Sequence, residues 1–202
     1  MARDADRTRK RLLEAAGVEF SALGIAGARV DRIAEAAGCN KAMIYAYFGS
    51  KDQLFDAVFS AHVAAFLDEV PLDAPDLPGY AGRLFDRYED HPETLRLATW
   101  YRLERPRGAS LQAVVSSNQR KLEKLEHAQR EGVLPGHYTP VELLTLVLSI
   151  STAWASMTPE LGMNAPADRD RRRYTVVDAV RRLLADGESA SAVPVTLSET
   201  SF

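Results

Sequence analysis

The segment Gly38-Cys39-Asn40 constrains this chain more than any other feature. It separates two short helical stretches, about Val30 to Ala37 and Lys41 to Tyr47, neither long enough to hold its shape alone. Gly38 suits the end of the first, and Asn40 is a natural cap for the second. Two helices joined by a glycine-containing turn of this length form a helix-turn-helix. A fixed angle between them needs a third helix as a brace. About Asp6 to Leu23 supplies it, with Leu12, Leu13, Ala16 and Phe20 on one face and Gly24 as its stop. Gly49-Ser50 then breaks the chain, and Ser50 can cap a long fourth helix to about Val70. Its inward stripe is Leu54, Phe55, Val58, Phe59, Phe66 and Leu67.

Helical periodicity continues to the far end, with no sustained strand alternation. Pro71 to Gly79 reads as a linker, and further helices are expected at about 79–90, 92–105, 109–131, 140–157 and 167–186. Thr139-Pro140-Val141-Glu142 specifies a helix start: a cap, a first-turn proline and a glutamate at the third position. The 140–157 helix is apolar nearly all round, so it must be covered on several sides. It is short for a membrane span and carries Glu142, Ser149, Ser151 and Thr152, so self-association is the expected cover. The last helix sets Tyr174, Val177, Val180, Leu183 and Leu184 opposite Arg171, Arg172, Arg181 and Arg182 and is the natural second member of that interface. The expected fold is all-α. It divides into an N-terminal three-helix domain (1–52), a second helical domain (53–187) and a Ser/Thr-rich tail (188–202).

Apolar residues make up 46% of the 202-residue chain, enough for a buried core. The net charge of −3 does not suggest a nucleic-acid partner; its distribution is more informative, though weak evidence alone. Residues 1–52 hold nine Lys/Arg against seven Asp/Glu, leaving sixteen against twenty-one in the remainder, so a mildly basic head sits on an acidic body. Cys39 stands alone, which excludes an intrachain disulfide framework and a cysteine zinc site. The four histidines show no metal spacing. No nucleophile motif, phosphate-cradling loop or dinucleotide fingerprint supports an enzyme, and no cofactor is expected. Residues Met1 to Arg7 are charged and lack an apolar signal core, pointing to a cytoplasmic protein.

In a helix-turn-helix the second helix presents its N-terminal residues to base edges in the major groove. Asn40 can pair with adenine, Lys41 can reach guanine or phosphate, and Ala42 can touch a thymine methyl. The Tyr45 and Tyr47 hydroxyls can bond phosphate. Lys51 opposes the dipole of the fourth helix, a mild cost that makes sense beside a phosphate. Phe48 is expected in the core, and Cys39 as a small buried hydrophobe rather than a redox sensor. Asp31 and Glu35 are expected solvated or paired with nearby cations.

Thr8-Arg9-Lys10-Arg11-Leu12-Leu13-Glu14-Ala15-Ala16, Phe20 and Gly24 resemble the first helix of TetR-family regulators. Val30-Asp31-Arg32-Ile33-Ala34-Glu35-Ala36-Ala37-Gly38 resembles the second, and Ile44-Tyr45-Ala46-Tyr47-Phe48-Gly49-Ser50-Lys51-Asp52-Gln53-Leu54 the recognition helix running into helix four. The resemblance covers about residues 8–58. It implies about nine helices, a DNA-binding head, a body that binds a small effector, and a homodimer through the last two helices. It also implies repression of a double-stranded operator, relieved by a small hydrophobic molecule. Carried over by position, the DNA contacts are Asn40, Lys41, Ala42, Tyr45, Tyr47 and Lys51. Arg29 stands where the family usually has threonine; it cannot cap the second helix but can reach a phosphate. Cys39 replaces a small aliphatic.

Phe66, Tyr88, Trp100, Asn118, Ser151 and Trp154 are the candidate effector-pocket residues, with core packing as the competing role. Arg102 and Glu104 are expected to be surface charges, and the fourth helix to be the lever between pocket and head. A helical enzyme or an adaptor without DNA binding is the alternative. Alanine at Asn40, Lys41, Tyr45 or Lys51 separates them, because only a DNA-binding protein would lose function.

Overall fold

A computed structural model describes residues 2–104 and 112–185, and every regular element among them is a helix. In chain order these are α1 (Ala2–Gly27), α2 (Val30–Ala36), α3 (Lys41–Phe48), α4 (Lys51–Glu69) and α5 (Leu77–Asp90). Then come α6 (Pro92–Glu104), α7 (Gln112–Arg130), α8 (Pro140–Ser151), α9 (Pro159–Gly162) and α10 (Arg169–Leu184). The tail expected at 188–202 lies outside the described residues. The element beyond the nine expected is α9, a single turn started by the Thr158 cap and Pro159.

The helix starts follow their caps. Asn40 Oδ1 accepts from the Ala42 N–H at 2.9 Å, and Ser50 Oγ from Gln53 N–H at 3.1 Å. Thr139 and Glu142 form the reciprocal capping box. α1 runs past Gly24, but Gly24 itself is not helical: its φ of 68° lies in the left-handed region that favours glycine. α8 stops at Ser151, short of the expected 157. The Ser151 hydroxyl donates to the Val147 carbonyl, and the Thr152 hydroxyl to Leu148 and Ser149. Side chains that claim carbonyls in this way weaken the helical ladder.

The molecule is built on two hydrophobic cores. The first joins Leu12, Ala16 and Phe20 of α1 to Ile33, Ile44, Phe48 and the first half of α4, and takes in Leu97 of α6. Phe20 meets Phe55 edge-to-face at 5.2 Å, and Phe59 stacks on Tyr101 at 4.4 Å. The second core gathers Phe66, Tyr80, Leu84, Phe85, Leu125, Leu143, Val147, Val176 and Val180. The expected domain boundary at residue 52 falls in the first turn of α4, while the packing passes from one core to the other between Phe59 and Phe66.

α10 lies against α5, and charge fixes the register. Arg169 bonds Asp90 at 2.8 Å, Arg172 bonds Glu89 at 2.5 Å and Arg173 bonds Asp86 at 2.7 Å. Close approach depends on Gly82: a Cβ there would come within 2.8 Å of the Arg173 guanidinium and 3.0 Å of Val177. The arginines expected on a solvent face thus include one, Arg172, that is partly buried as a helix-to-helix tie.

Candidate functional site

α3 buries Ile44 and Phe48 and turns Lys41, Ala42 and Tyr45 outward. Tyr45 is 45% exposed. Phe48 is core, as expected, with the Arg9 guanidinium 5.4 Å from its ring centroid. Tyr47 is half-buried and packs on the first core beside Phe48, which makes it a structural residue first. Cys39 is half-buried against the same core.

The polar candidates have partners that the sequence did not disclose. Asn40 spends its carbonyl oxygen on the cap, so the paired adenine contact would cost α3 its N-terminal hydrogen bond. Lys41 Nζ lies 2.9 Å from Asp31 Oδ1 on α2. That hydrogen bond lowers the Asp31 pKa below its ordinary value and raises that of Lys41. Lys51 Nζ donates to the Ala28 carbonyl at 3.3 Å, tying the start of α4 to the approach to α2. Arg29 makes no side-chain cap. Its backbone N–H is accepted instead by Glu19 Oε1 at 2.9 Å, and the same carboxylate pairs with Arg32 at 2.8 Å. Glu19 of α1 thus takes the N-cap N–H, as the glutamate of a capping box would, while the bonds a threonine side chain would accept from the first turn are not made; the exposed Arg29 side chain is left to face solvent.

A cavity of about 620 Å³ opens between the end of α5, one face of α6 and residues 155–157. Tyr88 and Trp100 line it together. Phe66 packs against Tyr88 with tilted rings, centroids 4.8 Å apart, and belongs to the second core rather than to the cavity wall. Burial pushes the Tyr88 hydroxyl up to about 12, so it is a neutral donor at physiological pH. Like Phe66, three further candidates fall elsewhere. Asn118 is exposed on α7, because the inward side of that helix is set by Leu125 and Ala128. Ser151 is buried with its hydroxyl bonded to Val147. Trp154 donates its indole N–H to the Arg172 carbonyl at 3.2 Å and packs on the second core.

Glu104 is not a surface charge. Its Oε1 accepts the Ile25 N–H at 3.0 Å and its Oε2 the Ala26 N–H at 3.1 Å. It satisfies backbone groups left open by the break at Gly24, as a helix cap would. Trp100, one turn earlier, closes on the same glycine: a Cβ there would meet the indole at 2.8 Å. A carboxylate 79 residues away in sequence gives no local signal, so this contact was beyond sequence reading.

Comparison with known proteins settles the family. The model of the tetR family of bacterial regulatory proteins matches residues 12–58, and that of the tetracyclin repressor-like C-terminal domain matches residues 76–182. The chain belongs to the TetR family. This TetR-family regulator is 35% identical over 192 residues to the HTH-type transcriptional repressor SCO4008 of Streptomyces coelicolor, covering 91% of this chain and 98% of that protein. It is 41% identical over 100 residues to the HTH-type transcriptional repressor NicS of Pseudomonas putida, covering 46% and 47% of the two chains. A crystal structure of the transcriptional regulator SCO4942 from Streptomyces coelicolor superposes with a TM-score of 0.80 at 40% identity, over 87% of this chain and 97% of that one. The all-helical fold and the helix-turn-helix read from sequence are those of the family. Among the described residues no helix is long and apolar enough to cross a membrane.

Proposed function

We propose that this regulator is a cytoplasmic, non-enzymatic repressor that binds a pseudo-palindromic operator as a homodimer and is released by a small molecule in the α5–α6 cavity. One observation carries the effector half of the reading: α6 belongs to both sites. Its Leu95, Thr99 and Trp100 face the cavity, while Leu97 is buried in the first core and Glu104 holds the end of α1. An occupant that shifts α6 would pull on the brace of the reading head. It need only bind the DNA-incompetent arrangement more tightly than the competent one. α4, which runs from Lys51 to the second core at Phe66, offers a parallel route.

The DNA half rests on Arg29, Lys41, Ala42 and Tyr45, all outward-facing on or beside the helix-turn-helix. Lys51, Tyr47 and Asn40 act mainly by holding the head together. The test is selection of bound duplexes from a random pool by the full chain, repeated across salt and in the presence of candidate effectors. A half-site repeat with salt-sensitive affinity is expected. Recovery of no common sequence would sink the repressor reading.

A further inference from the structure

The cavity lining holds Arg96 and Arg102, and Glu89, the acidic residue in it, is already paired with Arg172. On α6, Pro92, Arg96 and Trp100 repeat at four-residue spacing, and Leu95, Thr99 and Arg102 run alongside. Together they form one continuous lining face. The acidic groups of α5 and α6 are all engaged. Glu89, which lines the cavity, is bonded to Arg172 at 2.5 Å, and Glu93 lies 3.1 Å from His91 Nδ1. Asp86 and Asp90 are held by Arg173 and Arg169, and Glu104 by two backbone N–H groups. Arg96 and Arg102 line the same cavity and have no ion-pair or hydrogen-bond partner among the described residues. Six residues apart, they stand about 9 Å apart along the helix axis at the usual helical rise.

Beside the arginines the wall offers apolar surface, interrupted by Thr99 and Ser156. Trp100 closes on Gly24 and also lines the cavity, and Leu95 and Met157 extend the apolar surface. We infer that the effector is an anion: a planar or elongated apolar body bearing a carboxylate or equivalent group, bound through Arg96 and Arg102. The planar guanidinium suits a carboxylate, whose two oxygens it meets with parallel N–H bonds. A cationic ligand of the same body would meet these two arginines and no unengaged carboxylate on α5 or α6. This inference rests on the effector reading above, and its test separates the two.

The experiment is calorimetric titration of the full-length protein at neutral pH with three matched probes: 2-naphthoate, 2-naphthylmethanol and 2-naphthylmethylammonium. A second series of decanoate, decanol and decylammonium covers an elongated body. The anion of at least one series is expected to bind ten-fold or more tightly than its alcohol and its amine. In the Arg96→Ala/Arg102→Ala double variant the anion's affinity should fall to that of the alcohol, whose own affinity stays unchanged. Both side chains are exposed, so the fold should survive, which a thermal melt checks. Tightest binding by an amine, anion binding indifferent to both arginines, or no binding by any probe would each overturn the inference. Operator binding is measured in parallel. Anion binding without operator release upholds the anion site and removes the effector reading. Operator release by amines or alcohols, with no preference for anions, upholds the effector reading and removes the anion site.

Discussion

At the residue scale, the Lys41–Asp31 pair controls what α3 offers to DNA. The pair is exposed, so it adds little to stability, yet it holds the lysine against α2 until something better arrives. A phosphate is such a competitor. Asp31→Asn is expected to strengthen operator binding, because it releases Lys41 and removes a negative charge from the DNA-facing side. Lys41→Ala should weaken binding uniformly and reduce the slope of log affinity against log salt by about 1 if the lysine meets a phosphate. If it reads a base instead, the loss should be about 1–3 kcal/mol and confined to one operator position. Fluorescence anisotropy with an operator and point-mutated operators distinguishes the two. A second residue reports on the joint between head and body. His62 is half-buried on α4, beside Lys10, Leu13, Glu14 and Val58. Burial is the main cause that lowers its pKa; Arg87 adds to the effect and Glu93 opposes it. A depressed histidine contributes stability above its unfolded pKa of about 6.5 and loses it as pH falls through the folded value. The melting temperature of the wild type should therefore drop more steeply than that of His62→Gln as the pH falls below about 6.5. Parallel pH profiles for the two proteins would refute this.

Among the elements, α6 is the one that local sequence describes worst. Its outline was legible, because Pro92 and the periodic apolar residues mark a helix. Its connections were not. Trp100 shows as a large aromatic in the sequence, but that it packs on Gly24 depends on a glycine 76 residues earlier. Glu104 reads as a solvated charge at a helix end and is instead the cap for a break in α1. The same limit applies to Glu19, which accepts the Arg29 N–H at the start of α2 from ten residues earlier. By contrast, α2, α3 and the start of α4 were legible almost to the residue, because Asn40 and Ser50 cap their own helices and Gly38 and Gly49 stop them. Glu104→Ala should leave two N–H groups without their acceptor, at a cost of about 1–3 kcal/mol in stability. A larger expected change is in coupling. With the tie cut, operator affinity should change little in the absence of ligand, while an effector should release the operator at higher concentration or not at all. Glu104→Gln, which can still accept one of the two bonds, should fall between. A titration of operator release for the three proteins checks the order; equal release curves would show that α4 alone carries the signal.

For the whole molecule, the decisive question is which surface a second copy covers. The helices expected to meet a partner, α8 and α10, each bury one side against the body of their own chain: Leu143, Leu144 and Val147 on α8, Val176 and Val180 on α10. The other side of each carries apolar residues into solvent. Val141 is 57% exposed beside Leu146 and Tyr138, and Tyr174 is 53% exposed under Arg171. A helix with apolar groups on both sides calls for a cover on each, and the single chain supplies only one. A two-fold dimer brings the same patch from a second chain and places two α3 helices at a fixed separation. Val141→Asp tests this cleanly, because the side chain is exposed and its replacement should not disturb the monomer's cores. The variant is expected to melt within a few degrees of wild type and to sediment as a monomer. Its operator affinity should fall by about 100-fold or more, since a dimer's second half-site binds at high effective concentration and a monomer's does not. The fall should be much smaller on a single half-site, where the wild-type dimer has no second contact to lose. A Val141→Asp protein that remains a dimer and holds the full operator as wild type does would place the interface elsewhere on the surface.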